Sequence, residues 1–197
     1  MNNLSSASSA ASKGRSISTQ NLVLAGMFAG VLAVISQISI PMPTGVPITI
    51  QVFGIALVGT VLGWKLGCLS TLVYIFLGAI GLPIFANFQG GIHSLFGMSG
   101  GYILAWPVMA ALSGTRIKHS NPFVSAALSM VLAVIGLMIV EFAGALQWSL
   151  LTSEMSFGAI VAYSFVAFIP KDIVITILAV IIGNEIRKPL VKAGHLK

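Results

Sequence analysis

Beyond residue 20 the chain is a succession of long apolar runs separated by short stretches where prolines, glycines and polar residues gather. Runs over residues 21–40, 48–63, 66–81, 101–113 and 122–146 each predict one helix, and a sixth run covers 157–186. The interruptions differ in kind. Pro41-Met42-Pro43-Thr44-Gly45-Val46-Pro47 holds more proline than any helix accommodates, so an extended loop is predicted. Trp64-Lys65 predicts a tight turn at a membrane interface, where both residue types are favoured. Residues 82–100 are too apolar for an exposed loop and too rich in glycine for a helix. Irregular backbone survives at membrane depth only where protein buries it or it lines a cavity, so this stretch predicts a loop folded back over a pocket. Residues 147–156 form a further loop. The sixth run, if wholly helical, would measure about 45 Å at about 1.5 Å per residue, more than a hydrocarbon core of ~30 Å. Pro170 is the break: it either kinks a long helix or opens the sixth helix proper.

Composition turns this pattern into a fold class. A hydrophobic share of 57% and a charged share of 7% exclude an ordinary soluble domain, in which about 25% of residues are charged. Each crossing needs about 20 apolar residues, so 197 residues accommodate six. The prediction is an all-α integral membrane protein of six transmembrane helices, with the outer loops folded over a ligand pocket. Lys13, Arg15, Lys65, Arg116, Lys118, Arg187, Lys188, Lys192 and Lys197 then fall on one side and no lysine or arginine falls in the three opposite loops; Lys171 alone lies inside a span. The positive-inside rule puts both termini in the cytoplasm and places 41–47, 82–100 and 147–156 outside. The net charge of +6 would suggest nucleic acid in a soluble protein; here it reflects basic cytoplasmic loops. Residues 1–20, rich in Ser, Ala and Asn, read as a disordered cytoplasmic tail, because the run that follows is too long for a signal peptide. Residues 21–197 form a single six-helix membrane domain. The lone Cys68 excludes an internal disulfide and a cysteine metal cluster, and reads as a small buried hydrophobe.

Candidate chemistry collects in the outer half. In Phe168-Ile169-Pro170-Lys171-Asp172-Ile173 two ionisable residues and a proline interrupt an apolar run. A charge near the bilayer centre costs roughly 2.5–3.5 kcal/mol on insertion scales, so such residues face a cavity or a partner. Glu141 lies near the outer end of the fifth span with Gln147 and Trp148 beyond it, and Gln51 opens the second span. Asn87, Gln89, His93 and Tyr102 belong to the connection between the third and fourth spans. Phe85, Phe88, Tyr102 and Trp148 suit the apolar body of a ligand, and equally suit packing or interface anchoring. Plainer roles stand beside each: Glu141 solvated at the interface, His93 hydrogen-bonded within its loop, Gln51 bonded between helices. Lys171 and Asp172 are either a structural pair or a ligand contact. Neighbours on a helix point apart, so one of them faces elsewhere and Lys171 is long enough to snorkel.

No HExxH, paired intramembrane aspartates or Cys–His arrangement supports an enzyme, and neither metal nor cofactor is expected. The absence of a P-loop means the chain cannot power transport alone, and no internal repeat of the secondary-transporter kind is evident. In the first helix Ala25, Ala29 and Ala33, alongside Gly26 and Gly30, form a strip of small residues where another helix can approach closely, within the chain or from another subunit.

Gly81-Leu82-Pro83-Ile84-Phe85-Ala86, Gly97-Met98-Ser99-Gly100-Gly101-Tyr102 and Pro170-Lys171-Asp172, with Pro47-Ile48-Thr49-Ile50-Gln51, resemble the BioY family, the biotin-binding S components of energy-coupling factor (ECF) vitamin transporters. The resemblance spans roughly residues 25–185. It implies a multi-pass protein of a prokaryotic cell membrane that binds biotin from outside and pairs with a transmembrane coupling subunit and two ATP-binding cassette ATPases. It also implies Asp172 as a ligand residue and the alanine strip as the face shown to the coupling subunit. The family usually has glycine between the proline and the aspartate and lysine three residues after it, where this chain has Lys171 and Ile175; it usually has proline-threonine where this chain has Met98-Ser99. Biotin's ureido group has two N–H donors, and Asp172 would accept one, with Gln51, Asn87 or Gln89 serving the remaining polar atoms. A self-sufficient carrier, an S component for another vitamin and a ligand-free assembly subunit are the competing readings.

Overall fold

The computed structural model describes residues 18–117, 119–153 and 155–196. Most of the predicted tail, with Lys13 and Arg15, lies outside the described residues, as do Lys118, Glu154 and Lys197. Ser18 ends the tail by capping α1 (Thr19–Ile35): its Oγ accepts from Asn21 N at 3.2 Å. The first apolar run does not stay helical to residue 40. Ser39–Ile40 (β1) pairs antiparallel with Ile48–Thr49 (β2), in register Ser39↔Thr49, so the proline-rich loop is the tip of a short hairpin. The prolines exclude a helix, and the extended residues flanking them find each other as partners. This ribbon is the one departure from a purely helical architecture among the described residues.

α2 (Gln51–Leu62) is the central helix, with eleven of its twelve residues buried. It is followed almost at once by α3 (Trp64–Ala79). The reversal is made by Gly63 in the left-handed region (φ 84°), which glycine enters without a Cβ penalty. Trp64 and Lys65 are therefore not the turn but the first residues of α3, with Lys65 Nζ 5.0 Å from the Trp64 ring centre. The irregular stretch holds a 3-10 turn (Ala86–Phe88) and a short α4 (His93–Phe96) before α5 (Gly100–Gly114). α6 (Pro122–Leu151) starts on an Asn121 cap, whose Oδ1 accepts from Phe123 N at 2.9 Å. It runs past the predicted end at 146, so Gln147 and Trp148 are helical and Glu141 sits well inside the helix rather than near its end.

The last run breaks at Phe168. α7 (Phe157–Ala167) meets α8 (Ile169–Lys192) at a bend of 48°, and Pro170 occupies the first turn of α8, where its missing N–H leaves no bond unmade. Among the described residues, 123–151 alone form a helix long and apolar enough to cross a membrane, and the bent α7–α8 pair passes the same test jointly. α1, α2 and α3 are apolar but only 12–17 residues long.

α2 packs against α1, α3, α5 and α8, and α6 against α5, α7 and α8. Large apolar side chains on the outer faces stay exposed, Phe76, Val34, Phe123 and Leu150 among them. Between helices surrounded by lipid the hydrophobic effect gives no net drive, so association rests on close packing and hydrogen bonds. Gly59 of α2 is one point of close approach: a Cβ there would lie 2.2 Å from the Ala110 carbonyl oxygen of α5, and a Cβ on Gly67 of α3 would lie 2.7 Å from the Gly59 Cα. The alanine strip of α1 also turns inward. Ala25 and Ala29 are buried, α1 packs on α3, and Ser70 Oγ donates to Ala25 O at 2.8 Å. The close approach expected of these alanines is made within the chain, with Ala33 partly covered, whereas Gly26 and Gly30 next to them stay open.

The start of α1 meets the chain's end, with Gln20 Nε2 3.2 Å from His195 Nδ1. At this same end Arg187 Nη1 donates to Val61 O (2.5 Å) and Arg116 Nη2 to Thr60 O (3.2 Å), two cations on the last carbonyls of α2. The hairpin tip, Met98, Trp148, Leu151, Thr152, Ser153 and Met155 gather at the opposite end. Replacing Gly59 by alanine is expected to destabilise the fold by about 1–3 kcal/mol, the usual penalty of overpacking. Thermal unfolding of the detergent-solubilised variant beside the Gly26→Ala control, where a Cβ meets nothing, measures this difference.

Candidate functional site

Beneath the loop end lies a cavity of about 260 Å³. The hairpin contributes Gly45 to Pro47 and Thr49, α2 Gln51 and Val52, and the irregular stretch Phe85, Ala86, Gln89, His93, Ser94 and residues 97–99. Tyr102, Ile103 and Trp106 come from α5, Val140 and Glu141 from α6, and Phe168, Lys171 and Asp172 from the α7–α8 break. The break explains the last three. An uninterrupted helix would hold this segment straight, whereas the bend presents the first turn of α8 to the bundle centre.

Lys171 and Asp172 do face each other. Lys171 Nζ donates to Asp172 Oδ1 at 2.5 Å and to the Thr49 carbonyl at 2.6 Å. Adjacent Cβ atoms diverge on a helix, but the four-carbon lysine stem is long enough to fold back across the first turn. Asp172 is only 3% exposed. The expectation that one of the pair points elsewhere is thereby corrected: both belong to the cavity wall. Glu141 is buried as well, and its Oε2 has no hydrogen-bond partner; the buried hydroxyl of Ser94 on the same wall is also unpartnered. Buried polar atoms are rarely left unsatisfied, so a wall carrying such atoms is complementary to a polar ligand.

Two cavity aromatics rest on glycines. A Cβ on Gly144 of α6 would lie 2.3 Å from atoms of the Tyr102 ring, and one on Gly78 of α3 would lie 2.2 Å from the Phe85 ring, both too close for contact. The Tyr102 ring stands edge-on to Phe168, and Tyr74 edge-on to Phe85. The wall is thus a set of interlocked rings with fixed orientation. Gln51 is buried and donates through Nε2 to Tyr74 Oη at 3.2 Å, which combines the interhelical bond expected of it with a place on the cavity wall.

Of the residues singled out in the sequence, the fold brings Gln51, Phe85, Gln89, Tyr102, Glu141, Lys171 and Asp172 together, with His93. It does not bring Asn87 or Trp148. Asn87 adopts a left-handed conformation (φ 58°) that turns its side chain to Ser39, whose Oγ donates to Asn87 Oδ1 at 2.8 Å. Trp148, buried against Tyr163, lines a separate outer depression with Pro43, Met98 and Met155. Gln37 escaped notice. Its Nε2 donates to Ala33 O (3.1 Å) and Phe85 O (3.1 Å), and its Oε1 accepts from Phe88 N (3.0 Å), while Ser36 Oγ donates to Ile84 O (2.5 Å). A lone amide beside a serine just before a proline-rich loop was its only signal. Gln147 plays a similar part, donating to Leu95 O (2.9 Å) and Gly97 O (2.8 Å), which fixes α4 to α6.

A helical bundle with a lidded polar cavity at one end and basic residues at the other is the architecture of a membrane solute-binding subunit. Its fold matches a crystal structure of "the S-component for biotin from an ECF-type ABC transporter" with a TM-score of 0.72 and 29% identity, over 86% of this chain and 91% of that one. Residues 6–192 match the BioY family, and the chain belongs to that family. A probable biotin transporter BioY of Pyrococcus horikoshii is 35% identical, covering 83% of this chain and 94% of the relative. The biotin transporter BioY of Thermotoga maritima is 33% identical over 86% and 96%.

The geometry of the charged pair leads to a stability prediction. Lys171→Met leaves a buried carboxylate without its cation, at an expected cost of about 1–3 kcal/mol. Adding Asp172→Asn removes the orphaned charge and is expected to recover part of that loss. Thermal melts of the two single variants and the double variant measure the coupling.

Proposed function

We propose that this chain is the substrate-binding S component of an ECF-type transporter and that it binds biotin in the cavity walled by Asp172. The observation that carries the reading is the buried carboxylate of Asp172 inside a cavity lined by aromatic rings, in a chain of the BioY family. Lys171 engages only Oδ1 of Asp172, which leaves Oδ2 for a ureido N–H, a charge-assisted bond about twice as strong as a neutral one. Rings such as Tyr102, Phe85 and Trp106 cover the apolar bicyclic body, and Gln51 and Gln89 stand within the same wall. The aspartate role carried by the family resemblance therefore has a cavity to act in, whereas Asn87 and Trp148 serve the lid and the outer depression.

Six crossings are part of this proposal: α1, α2, α3, α5, α6 and the bent α7–α8 pair, with the cavity on the outside and both termini in the cytoplasm. The meeting of Gln20 with His195 supports termini on one side, and the basic residues at that end support its being cytoplasmic. The shorter helices cross with help from the hairpin and the irregular stretch, which is tolerable because that backbone lines a cavity. The partners are a transmembrane coupling subunit and ATP-binding cassette ATPases, since the sequence holds no P-loop. The open Gly26–Gly30 face of α1, rather than the buried alanines, is the small-residue surface left for the coupling subunit.

Isothermal titration with biotin tests the ligand reading: Asp172→Asn is expected to bind about 10- to 100-fold more weakly, the value of one hydrogen bond to a charged group. Unchanged affinity would remove Asp172 from the site. A fluorescent protein fused after Lys197 is expected to mature, and an alkaline phosphatase fused there to stay inactive; the reverse pattern would invert the topology.

A further inference from the structure

One buried carboxylate has no part in the binding scheme so far. Glu141 lies on α6, 6% exposed, on the wall of the cavity that Asp172 and Lys171 also line. It makes no salt bridge among the described residues, and its Oε2 has no hydrogen-bond partner. The Lys171 ammonium is already bound to Asp172 and to the Thr49 carbonyl. The cavity thus carries two acceptor groups from two different helices, while its lysine is engaged elsewhere.

We infer that Glu141 and Asp172 form a two-sided acceptor for a cyclic urea, Glu141 taking the N–H that Asp172 does not, so that the site selects ligands with both urea nitrogens unsubstituted. This rests on the biotin reading above. The chemistry matches in number. A cyclic urea has two N–H donors that diverge on either side of one carbonyl, so it asks for two acceptors on separate elements and a donor between them. Acceptors on α6 and α8 satisfy the first requirement, and the unpartnered Ser94 hydroxyl on the same wall is a donor for the carbonyl. Two carboxylates also set the ligand's polarity: a carboxylate tail is repelled from them and lies toward the hairpin tip and α4.

The test is isothermal titration of purified protein with biotin and with its two isomers methylated on one urea nitrogen. Wild-type protein is expected to bind biotin and to bind each methylated isomer at least about tenfold more weakly, since each loses one buried hydrogen bond and sets a methyl against the group that made it. Glu141→Ala is expected to lose about tenfold or more for biotin and to accept one isomer as well as it accepts biotin, the methyl filling the vacated space. It still rejects the other isomer, and Asp172→Ala shows the opposite preference. Glu141→Gln keeps the shape and one oxygen acceptor; an intermediate loss supports the inference if the alanine variant does not purify as a monodisperse protein. Wild-type affinity in either Glu141 variant, or rejection of both isomers by Glu141→Ala, overturns it while leaving biotin binding intact. Wild-type protein that does not bind biotin overturns the underlying reading and this inference with it.

Discussion

The site depends on a single ammonium group. Lys171 Nζ joins the Thr49 carbonyl of the hairpin to the carboxylate of Asp172 on α8, so one charge fastens the lid strand to the helix that enters the cavity from the opposite side. A carboxylate as buried as Asp172 is tolerable only when a partner and hydrogen bonds replace water. Here the partner is the preceding residue, brought round by the length of its own side chain. The arrangement satisfies one oxygen and leaves the other without a bond from the lysine.

Around this joint the helices are held by closeness rather than by apolar burial as such. Helix α2 has the cavity at its beginning and two arginines on its final carbonyls, and it touches neighbours on nearly every face. The glycines that allow α2, α3 and α5 to approach also fix where the cavity stops, because no void remains between Gly59 and Ala110. The same device seats the rings of Tyr102 and Phe85 on Gly144 and Gly78, so the binding surface inherits its rigidity from helix packing.

Much of this was legible in the sequence, and what was not has a physical reason. Proline density and glycine runs located the loop end correctly, because both residues act through the backbone alone. Asp172 and Glu141 declared themselves because charge in an apolar run has few places to go. The hairpin was missed because two residues of strand leave no periodic signature. The Lys171–Asp172 contact was missed because spacing rules describe where Cβ atoms point and not where a long flexible side chain ends. Asn87 was drawn into the site by its chemistry and kept out by a left-handed backbone, which no pattern of polar and apolar residues records. The alanine spacing announced a close helix contact but could not say with which helix.

Asn87 and Phe88 are consecutive non-glycine residues with φ of 58° and 57°, a conformation that costs roughly 1–2 kcal/mol per residue. The end of α1 bonds this turn and the residues before it through Ser36 and both ends of the Gln37 amide, beside Ser39 on Asn87 and Tyr74 on the Ile84 carbonyl. Phe85, a ring of the cavity wall, is the residue whose carbonyl that amide grips. Mechanically, then, this part of the lid is shared between α1, which grips the Phe85 carbonyl, and α3, which seats its ring, so a rotation of one helix against the other strains the turn between them. The first helix of the chain, which contributes no residue to the cavity lining, sets the position of one of its walls.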